Sequence, residues 1–175
     1  KPMPQPSDSA VSKVVAASAS GKEVSLTPAE AGGWLNYLLR KNAETKSGSG
    51  FSSLSITAKQ DGTADVYAPM TYKGKTFGVV MNLTPSFDNA AQQMKFDVNS
   101  VHAGRLPIPV GMAMNLMEGR LPSVLSRQGN TLLCNTSSLF RADYAGATAQ
   151  LRMTEFKLQD RLFFLKFQLE LGLNG

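Results

Sequence analysis

Cysteine and histidine are nearly absent from this chain, which has one of each in 175 residues. A single cysteine excludes an intramolecular disulfide and a zinc site built from several thiolates. Cys134 follows two leucines, so we expect it to be a buried and unreactive thiol. Nucleophilic catalysis by this thiol would also need a base, and His102 is the only histidine. The composition therefore argues against a disulfide, a thiolate metal site and catalysis by cysteine.

Long apolar runs and clusters of like charge are also missing. No segment of 18 consecutive apolar residues exists, so no transmembrane helix is predicted. Basic residues number 18 and acidic residues 13, a net charge of +5, but no three basic residues are adjacent. Nucleic-acid binders concentrate positive charge on one face or in one run, so we expect no nucleic-acid partner. With 18 % charged and 42 % hydrophobic residues, the composition also excludes a disordered chain or a coiled coil.

Familiar catalytic and metal-binding patterns are absent as well. The sequence has neither a phosphate-binding loop nor the glycine pattern of dinucleotide-binding folds. Its carboxylates are scattered, and Asp61 has an ordinary turn role beside a glycine. His102 is expected on the polar face of a strand or in the turn that follows it. We therefore predict that the protein is not an enzyme and has neither a metal nor another cofactor.

The first seven residues carry prolines at positions 2, 4 and 6 and are typical of an extended linker. A short helix is expected over residues 8–19, and residues 8–175 are expected to form one α+β domain. The chain begins with lysine rather than methionine. We interpret it as the part of a longer protein that follows a removed signal peptide or membrane anchor.

The clearest local signal is the start of a helix at residue 27. Thr27 is a good N-cap, Pro28 suits the first helical position, and Glu30 completes a capping box with Thr27. Apolar residues at helical spacing extend this helix to about Ala43. A flexible loop is expected over residues 47–50.

A period of two begins near residue 54 and predicts antiparallel strands with one apolar and one polar face. Four strands form a meander, at about 54–58, 64–72, 77–83 and 94–98, with a loop over 85–90. Later strands are expected near 131–133, 139–142, 149–158 and 163–171. A phase slip near Thr154 predicts a β-bulge. We infer an α+β fold, a curved antiparallel sheet of about six strands with two longer helices packed on its apolar face.

Methionine is in excess, with eight in the chain and three of them at positions 112, 114 and 117. This segment follows Leu106 to Pro109 and is expected to form a helix over 109–119 that restarts over 122–126. Methionine is flexible and polarizable, so it suits a groove that repacks around apolar ligands, with ordinary core filling as the alternative. Three arginines flank the segment and are either simply solvated or able to contact phosphate or carboxylate head groups. These are Arg105, Arg120 and Arg127.

Two segments resemble the YpmS-like family of bacterial proteins. The first is the helix entry with Thr27, Pro28 and Glu30 followed by Trp34-Leu35-Asn36-Tyr37-Leu38-Leu39. The second runs from Val98 to Pro109 and contains a G-x-L-P-x-P motif, Gly104-Arg105-Leu106-Pro107-Ile108-Pro109. The resemblance covers roughly residues 23–126. It implies an N-terminal membrane anchor and an extracytoplasmic domain of unassigned function. The wider likeness is to tubular lipid-binding and related envelope proteins, and it implies no catalytic residues.

We therefore expect a non-enzymatic, extracytoplasmic domain of the cell envelope or periplasm that binds a lipid or another apolar or amphipathic ligand. The ligand is expected between the Trp34 helix, the sheet and the segment 107–121. The predicted ligand-binding residues are Trp34, Leu38, Met81, Arg105, Leu106, Pro107, Ile108, Pro109, Met112, Met114, Met117 and Arg120. The alternative is a protein-interaction module of the cell envelope, with a solid core and no pocket, that uses a sheet edge or an apolar patch.

Overall fold

The structure is a computed structural model that describes residues 13–14, 16–17, 20–43, 53–119, 121, 124–136, 141–144 and 147–173. Residues 13, 14, 16, 17 and 20 are helical, in agreement with the predicted N-terminal helix. The predicted linker over residues 1–7 and the predicted loop over 47–50 lie outside the described residues. So do Arg120 and the side chain of Leu38.

Two longer helices and eleven strands follow in the described part of the chain. The helices are α1 (Pro28–Ala43) and α2 (Val110–Glu118). The strands are β1 (Val24–Leu26), β2 (Ser55–Ala58), β3 (Ala64–Tyr72), β4 (Lys75–Asp88), β5 (Gln93–Ala103), β6 (Leu106–Ile108), β7 (Leu125–Gln128), β8 (Thr131–Asn135), β9 (Arg141–Tyr144), β10 (Ala147–Gln159) and β11 (Leu162–Leu173).

The balance of helix and strand corrects the predicted fold class. Among the described residues, strands make up 58 % and helices 20 %, so the fold is β-rich rather than a balanced α+β fold. The strands form two antiparallel sheets, with the order β1-β11-β10-β9 in one and β2-β3-β4-β5-β8-β7 in the other. The additional strand β6 pairs with β5. The prediction of an α+β fold with one sheet of about six strands is therefore wrong, although two longer helices are present.

The reason for this error is that several strands lack the alternation that marks a strand in sequence. β6 has the sequence Leu-Pro-Ile, and β7 follows a proline-containing segment that favoured a second helix. The helix predicted over 122–126 is wrong at residues 125–126, which begin β7. The loop predicted over 85–90 is also wrong in its first four residues, because β4 continues through Pro85 to Asp88. Proline is a poor marker of strand ends here, because it ends a strand only where its missing N–H would have to donate a hydrogen bond to a neighbouring strand.

The seven-stranded sheet has one continuous apolar face. Residues directly opposite each other on neighbouring strands share a face, and Val66, Met81 and Val101 form such a row across β3, β4 and β5. An extra residue in β5, Asn99, interrupts the register between this row and the next one. The phase shift keeps Val98 on the apolar face with Val101.

The opposite face is polar, as the sequence predicted, and its side chains are hydrogen-bonded to one another. The side-chain amide of Asn82 donates to the Thr63 hydroxyl (3.0 Å) and to the Asp65 carboxylate (2.9 Å). The amide of Asn99 donates to Asn82 (2.9 Å) and to the Thr84 hydroxyl (2.8 Å). These bonds link three neighbouring strands through side chains as well as backbone.

The predicted bulge in β10 is confirmed by a register shift between Met153 and Glu155. The Met153 carbonyl at this point accepts a hydrogen bond from the side-chain amide of Gln92 (3.0 Å). Gln92 lies in the turn between β4 and β5, and its own carbonyl accepts from the backbone and hydroxyl of buried Thr136 (both 3.0 Å). The bulge therefore provides a hydrogen bond that links the two sheets.

The capping box at the start of α1 is confirmed. The Thr27 hydroxyl accepts from the Glu30 N–H, and the Glu30 carboxylate accepts from the Thr27 N–H, each at 3.1 Å. Lys13 of the N-terminal helical segment approaches the same carboxylate to 2.8 Å. The hydrogen bond from Lys13 is the largest cause that lowers the pKa of Glu30 below its usual value. One carboxylate thus starts α1 and holds the preceding helical segment beside it.

Two apolar clusters fill the described part of the molecule. The first joins the four-stranded sheet, α1 and one end of the seven-stranded sheet, and its buried residues are Val14, Val24, Leu26, Trp34, Ala58, Ala64, Met94, Cys134, Met153, Phe163, Leu165 and Phe167. The second lies between α2 and the other end of the seven-stranded sheet, with Val79, Met81, Leu83, Val98, Val101, Ala113, Met114, Met117 and Leu132. Phe96 contacts both clusters.

Candidate binding surface

The predicted ligand-binding residues fall into separate parts of the structure. Trp34 is buried in the first cluster, whereas Met81, Met114 and Met117 are buried in the second. α1 packs against β1, β2 and β11, and α2 packs against β5 and β7. The structure therefore does not bring Trp34 together with the methionines of α2. The buried methionines fill core space, as the alternative interpretation of the methionine excess, ordinary core filling, predicted.

The G-x-L-P-x-P segment has one inward and several outward side chains. Ile108 is half-buried against the second cluster, while Leu106, Pro107 and Pro109 are exposed. Pro109 immediately precedes α2 with φ −54° and ψ 132°, an extended conformation that ends β6 and starts the helix. The segment thus acts as a short strand that leads directly into α2.

Three large apolar side chains of this β6–α2 segment face solvent. Leu106 is 67 % exposed, Met112 54 % and Leu116 61 %. Met112 and Leu116 are four residues apart on α2, so they lie on one side of the helix. The opposite side carries buried Met114 and Met117. α2 is apolar on both sides, although only one side has a partner within the described chain.

Strand pairing places Leu106 at the margin of the apolar sheet face. Leu106 lies opposite Ala103, which lies opposite Val79 on β4. Phe77, two residues before Val79 on the same strand, shares that face and is 37 % exposed. The Gly104 N–H donates to the Gly78 carbonyl (2.9 Å), which holds the β5–β6 turn beside β4. Phe77 and Leu106 therefore end the apolar face at the edge of the area that α2 covers.

Three cations lie in the turns at this end of the sheet. Lys73 and Lys75 belong to the β3–β4 hairpin, and exposed Arg105 belongs to the β5–β6 turn. The segments 66–87 and 98–117, which include these turns, contain no aspartate or glutamate, and Glu118 at the end of α2 is paired with Arg127. We call the surface formed by Phe77, Leu106, Met112 and Leu116 with Lys73, Lys75 and Arg105 the turn-end surface.

Arg127, one of the three flanking arginines, has a structural role. Its guanidinium donates to the Asn115 side chain (2.6 Å) and to the Gly129 carbonyl (2.7 Å), and it lies 3.3 Å from the Glu118 carboxylate. These contacts fasten the C-terminal half of α2 to the β7–β8 hairpin. Of the flanking arginines whose side chains are described, Arg105 is thus the one on the turn-end surface.

Sequence reasoning named Arg105, Leu106 and Met112 but missed the rest of the turn-end surface. Phe77 begins the strand predicted over 77–83, and Lys73 and Lys75 lie between that strand and the one predicted over 64–72. A usable signal was present in the sequence, because the three cations lie within acid-free segments of 22 and 20 residues (66–87 and 98–117). No comparable signal in the sequence indicates that Met112 and Leu116 are exposed.

Two open clefts lie elsewhere on the described surface. One, of about 260 Å³, is lined by Glu23, Phe87, Asn89, Thr154, Glu155, Phe156, Lys157 and Phe164. The other, of about 460 Å³, is lined by Thr57, Ala58, Lys59, Gln60, Asp61 and Arg161. Neither contains a predicted ligand-binding residue. Neither contains His102, which is half-buried in β5 on the outer face of the sheet, opposite Val80 and Pro107.

Burial raises the pKa of the Cys134 thiol to about 11, from an ordinary value of 9.0. A thiol with a raised pKa is almost fully protonated near neutral pH, and the thiolate is the reactive form. We expect native protein to resist alkylation by iodoacetamide at mildly alkaline pH and to react once it is unfolded in urea. Mass spectrometry of the alkylated protein measures this, and rapid labelling of the native chain would contradict the buried placement.

Within the described residues, no helix is long and apolar enough to cross a membrane. The same residues contain no group of three histidine, cysteine, aspartate or glutamate side chains placed to hold a metal ion. Comparison of the chain with models of known families, with curated proteins and with solved structures found no match in any of the three. The resemblance to the YpmS-like family stays a prediction.

Proposed function

We propose that this chain is a non-catalytic binding domain for a lipid or another amphipathic ligand, and that the turn-end surface is where it binds. The observation that carries the proposal is the exposure of Leu106, Met112 and Leu116 within one short segment. Contiguous exposed apolar side chains with a polar rim mark interaction sites on soluble domains. An extracytoplasmic location near the membrane is part of this proposal.

The chemistry of the surface favours an amphipathic ligand over a purely apolar one. Its apolar side chains would contact the hydrocarbon part of the ligand, and Lys73, Lys75 and Arg105 would face a phosphate or carboxylate head group. The proposed site lies at the margin of the apolar sheet face rather than in the groove expected between α1 and α2. In support of a surface site, Met114 and Met117 are packed against the sheet.

Methionine-methyl NMR tests the proposal with internal controls. The protein, labelled with ¹³C at its methionine methyl groups, is titrated with lysophosphatidylglycerol below the concentration at which micelles form. We expect the Met112 signal, assigned with Met112→Leu, to shift in a saturable manner. The signals of buried Met94 and Met153 should not move. No saturable shift at any methionine would overturn the proposal, and shifts at Met114 and Met117 alone would place the ligand in the groove instead.

A second candidate, a protein-interaction module, is favoured by one observation on the other sheet. Within the described residues, β1 pairs with Phe163–Leu165 of β11, and Leu169 and Leu171 further along β11 are exposed. An exposed strand with apolar side chains can accept an added strand from a partner. This candidate needs Leu169 and Leu171, whereas the lipid-binding proposal needs Met112. Loss of binding to a protein partner in Leu171→Ser, but not in Met112→Ser, would therefore favour the protein-interaction candidate.

A further inference from the structure

We infer that the turn-end surface docks the protein onto the surface of a bilayer that contains anionic lipids. This inference rests on the proposed function and deepens it, because it replaces a single bound ligand with a membrane surface. It is carried by the way in which two kinds of side chain share one end of the seven-stranded sheet. Neither kind would suffice alone.

The first kind is the set of cations in adjacent turns. Lys75 and Phe77 point to the same side of β4, since they are two residues apart on one strand. Arg105 immediately precedes Leu106, and the Gly104–Gly78 hydrogen bond (2.9 Å) keeps the two turns together. No acidic residue occurs in 66–87 or 98–117, and Glu118, which follows at the end of α2, is paired with Arg127. Basic groups held close to a bilayer are attracted by the negative potential of anionic lipids.

The second kind is the set of aliphatic side chains that project from α2 and β6. A short helix whose outer side is apolar can lie in the plane of the interface, with that side at the boundary between head groups and acyl chains. Met112 and Leu116 provide such a side, and their helix is held from below by Met114 and Met117. Because helix and sheet are packed together, docking requires no folding of the segment.

The same features argue against other occupants of this surface. Its exposed apolar groups are mainly aliphatic and cannot stack on nucleic-acid bases, which single-strand binders achieve with aromatic rings. Another exposed apolar pair, Leu169 and Leu171 on β11, has no lysine or arginine within residues 167–173. That pair therefore lacks the basic groups that attract anionic lipid. The turn-end surface, in contrast, combines exposed apolar side chains with three cations and so complements anionic lipid.

Co-sedimentation with vesicles tests the inference. We expect the protein to bind vesicles of phosphatidylcholine mixed with phosphatidylglycerol, to bind pure phosphatidylcholine vesicles much less, and to be released by high salt. Changing Lys73, Lys75 and Arg105 together to glutamine should weaken binding on the order of 100-fold, at about fivefold per cation. Changing Met112 and Leu116 together to serine should also weaken binding at least about tenfold.

Matched controls separate docking from net charge. The charge-matched variant changes exposed Lys22, Lys157 and Arg161 to glutamine, and the apolar control is Leu171→Ser. We expect both to bind within about twofold of the parent protein, because substitutions distant from the turn-end surface do not change its contacts with lipid. Equal weakening by the two charge triplets would overturn the inference. All positions changed are exposed, and an unchanged unfolding transition followed by Trp34 fluorescence confirms that each variant is folded.

The outcomes also separate this inference from the proposed function. If no vesicle type is bound while lysophosphatidylglycerol shifts the Met112 signal, the docking inference fails and the proposed function stands. If neither experiment detects binding, both fail. Binding that is lost with the turn-end triplet and with Met112 and Leu116, but kept in the two controls, supports both.

Discussion

Replacing Met114 with alanine is expected to lower the free energy of unfolding by about 3 kcal/mol, within the range measured for truncating buried methionines. Met114 is 1 % exposed at the centre of the second cluster, between α2 and the sheet. Its truncation removes contacts with tightly packed neighbours and leaves a cavity that rigid strands cannot close. The loss is therefore larger than the transfer free energy of the deleted atoms.

Met112→Ala is the matched control, because it deletes the same atoms two residues away on the same helix. Met112 is 54 % exposed, so its truncation should change stability by less than about 0.5 kcal/mol. Urea titration followed by circular dichroism measures both variants. Trp34 fluorescence, which reports on the other cluster, should give the same midpoint if the molecule unfolds as one unit. Equal losses in the two variants would show that α2 is not packed as described.

Features set by neighbouring residues could be predicted from the sequence. The capping box needs only Thr27 and Glu30, three residues apart, and both hydrogen bonds are present. The bulge near Thr154 follows from a slip in alternation along one strand, and α2 occupies nearly the predicted segment. In each case the residues that determine the feature lie close together in sequence, so the local sequence pattern predicts it.

Pairing between distant segments could not be predicted in the same way. Alternation shows which face of a strand is apolar but does not show which strand lies beside it. Nothing local in β10 and β11 indicates that they form a separate sheet with β1. The fold class was misjudged for this reason, since short strands such as β6 are stabilised by a partner rather than by their own pattern.

The candidate site was predicted only in part for a related reason. Met112, Met114 and Met117 are chemically alike and lie on one apolar helix, so composition cannot tell which of them faces solvent. The rotation of the helix against β5 and β7 decides which methionine is exposed, and in this rotation Asn115 accepts a hydrogen bond from Arg127. The predicted groove placed all three methionines against a ligand. In the structure two of them face the sheet and one faces outwards.

Asn36 is a buried polar residue whose role also depends on a distant segment. It is 2 % exposed on α1, and its side-chain amide donates to the Leu54 carbonyl (2.9 Å) and accepts from the Leu54 N–H (2.7 Å). The side chain thus pairs with the backbone just before β2 in the way that a neighbouring strand would. Sequence reasoning had placed Asn36 only within the family resemblance.

Asn36→Leu is expected to lower the free energy of unfolding by about 2 to 3 kcal/mol, because it leaves a backbone donor and a backbone acceptor without partners. Leucine is similar in size, so the loss reports on hydrogen bonds rather than on a cavity. Gln60→Leu makes the same change from amide to alkyl at an exposed turn position and should cost less than about 0.5 kcal/mol. Hydrogen exchange identifies the cause, since the Leu54 amide should exchange faster in Asn36→Leu than in the parent protein. An unchanged Leu54 exchange rate together with full stability would mean that this amide bridge does not hold α1 to the sheet.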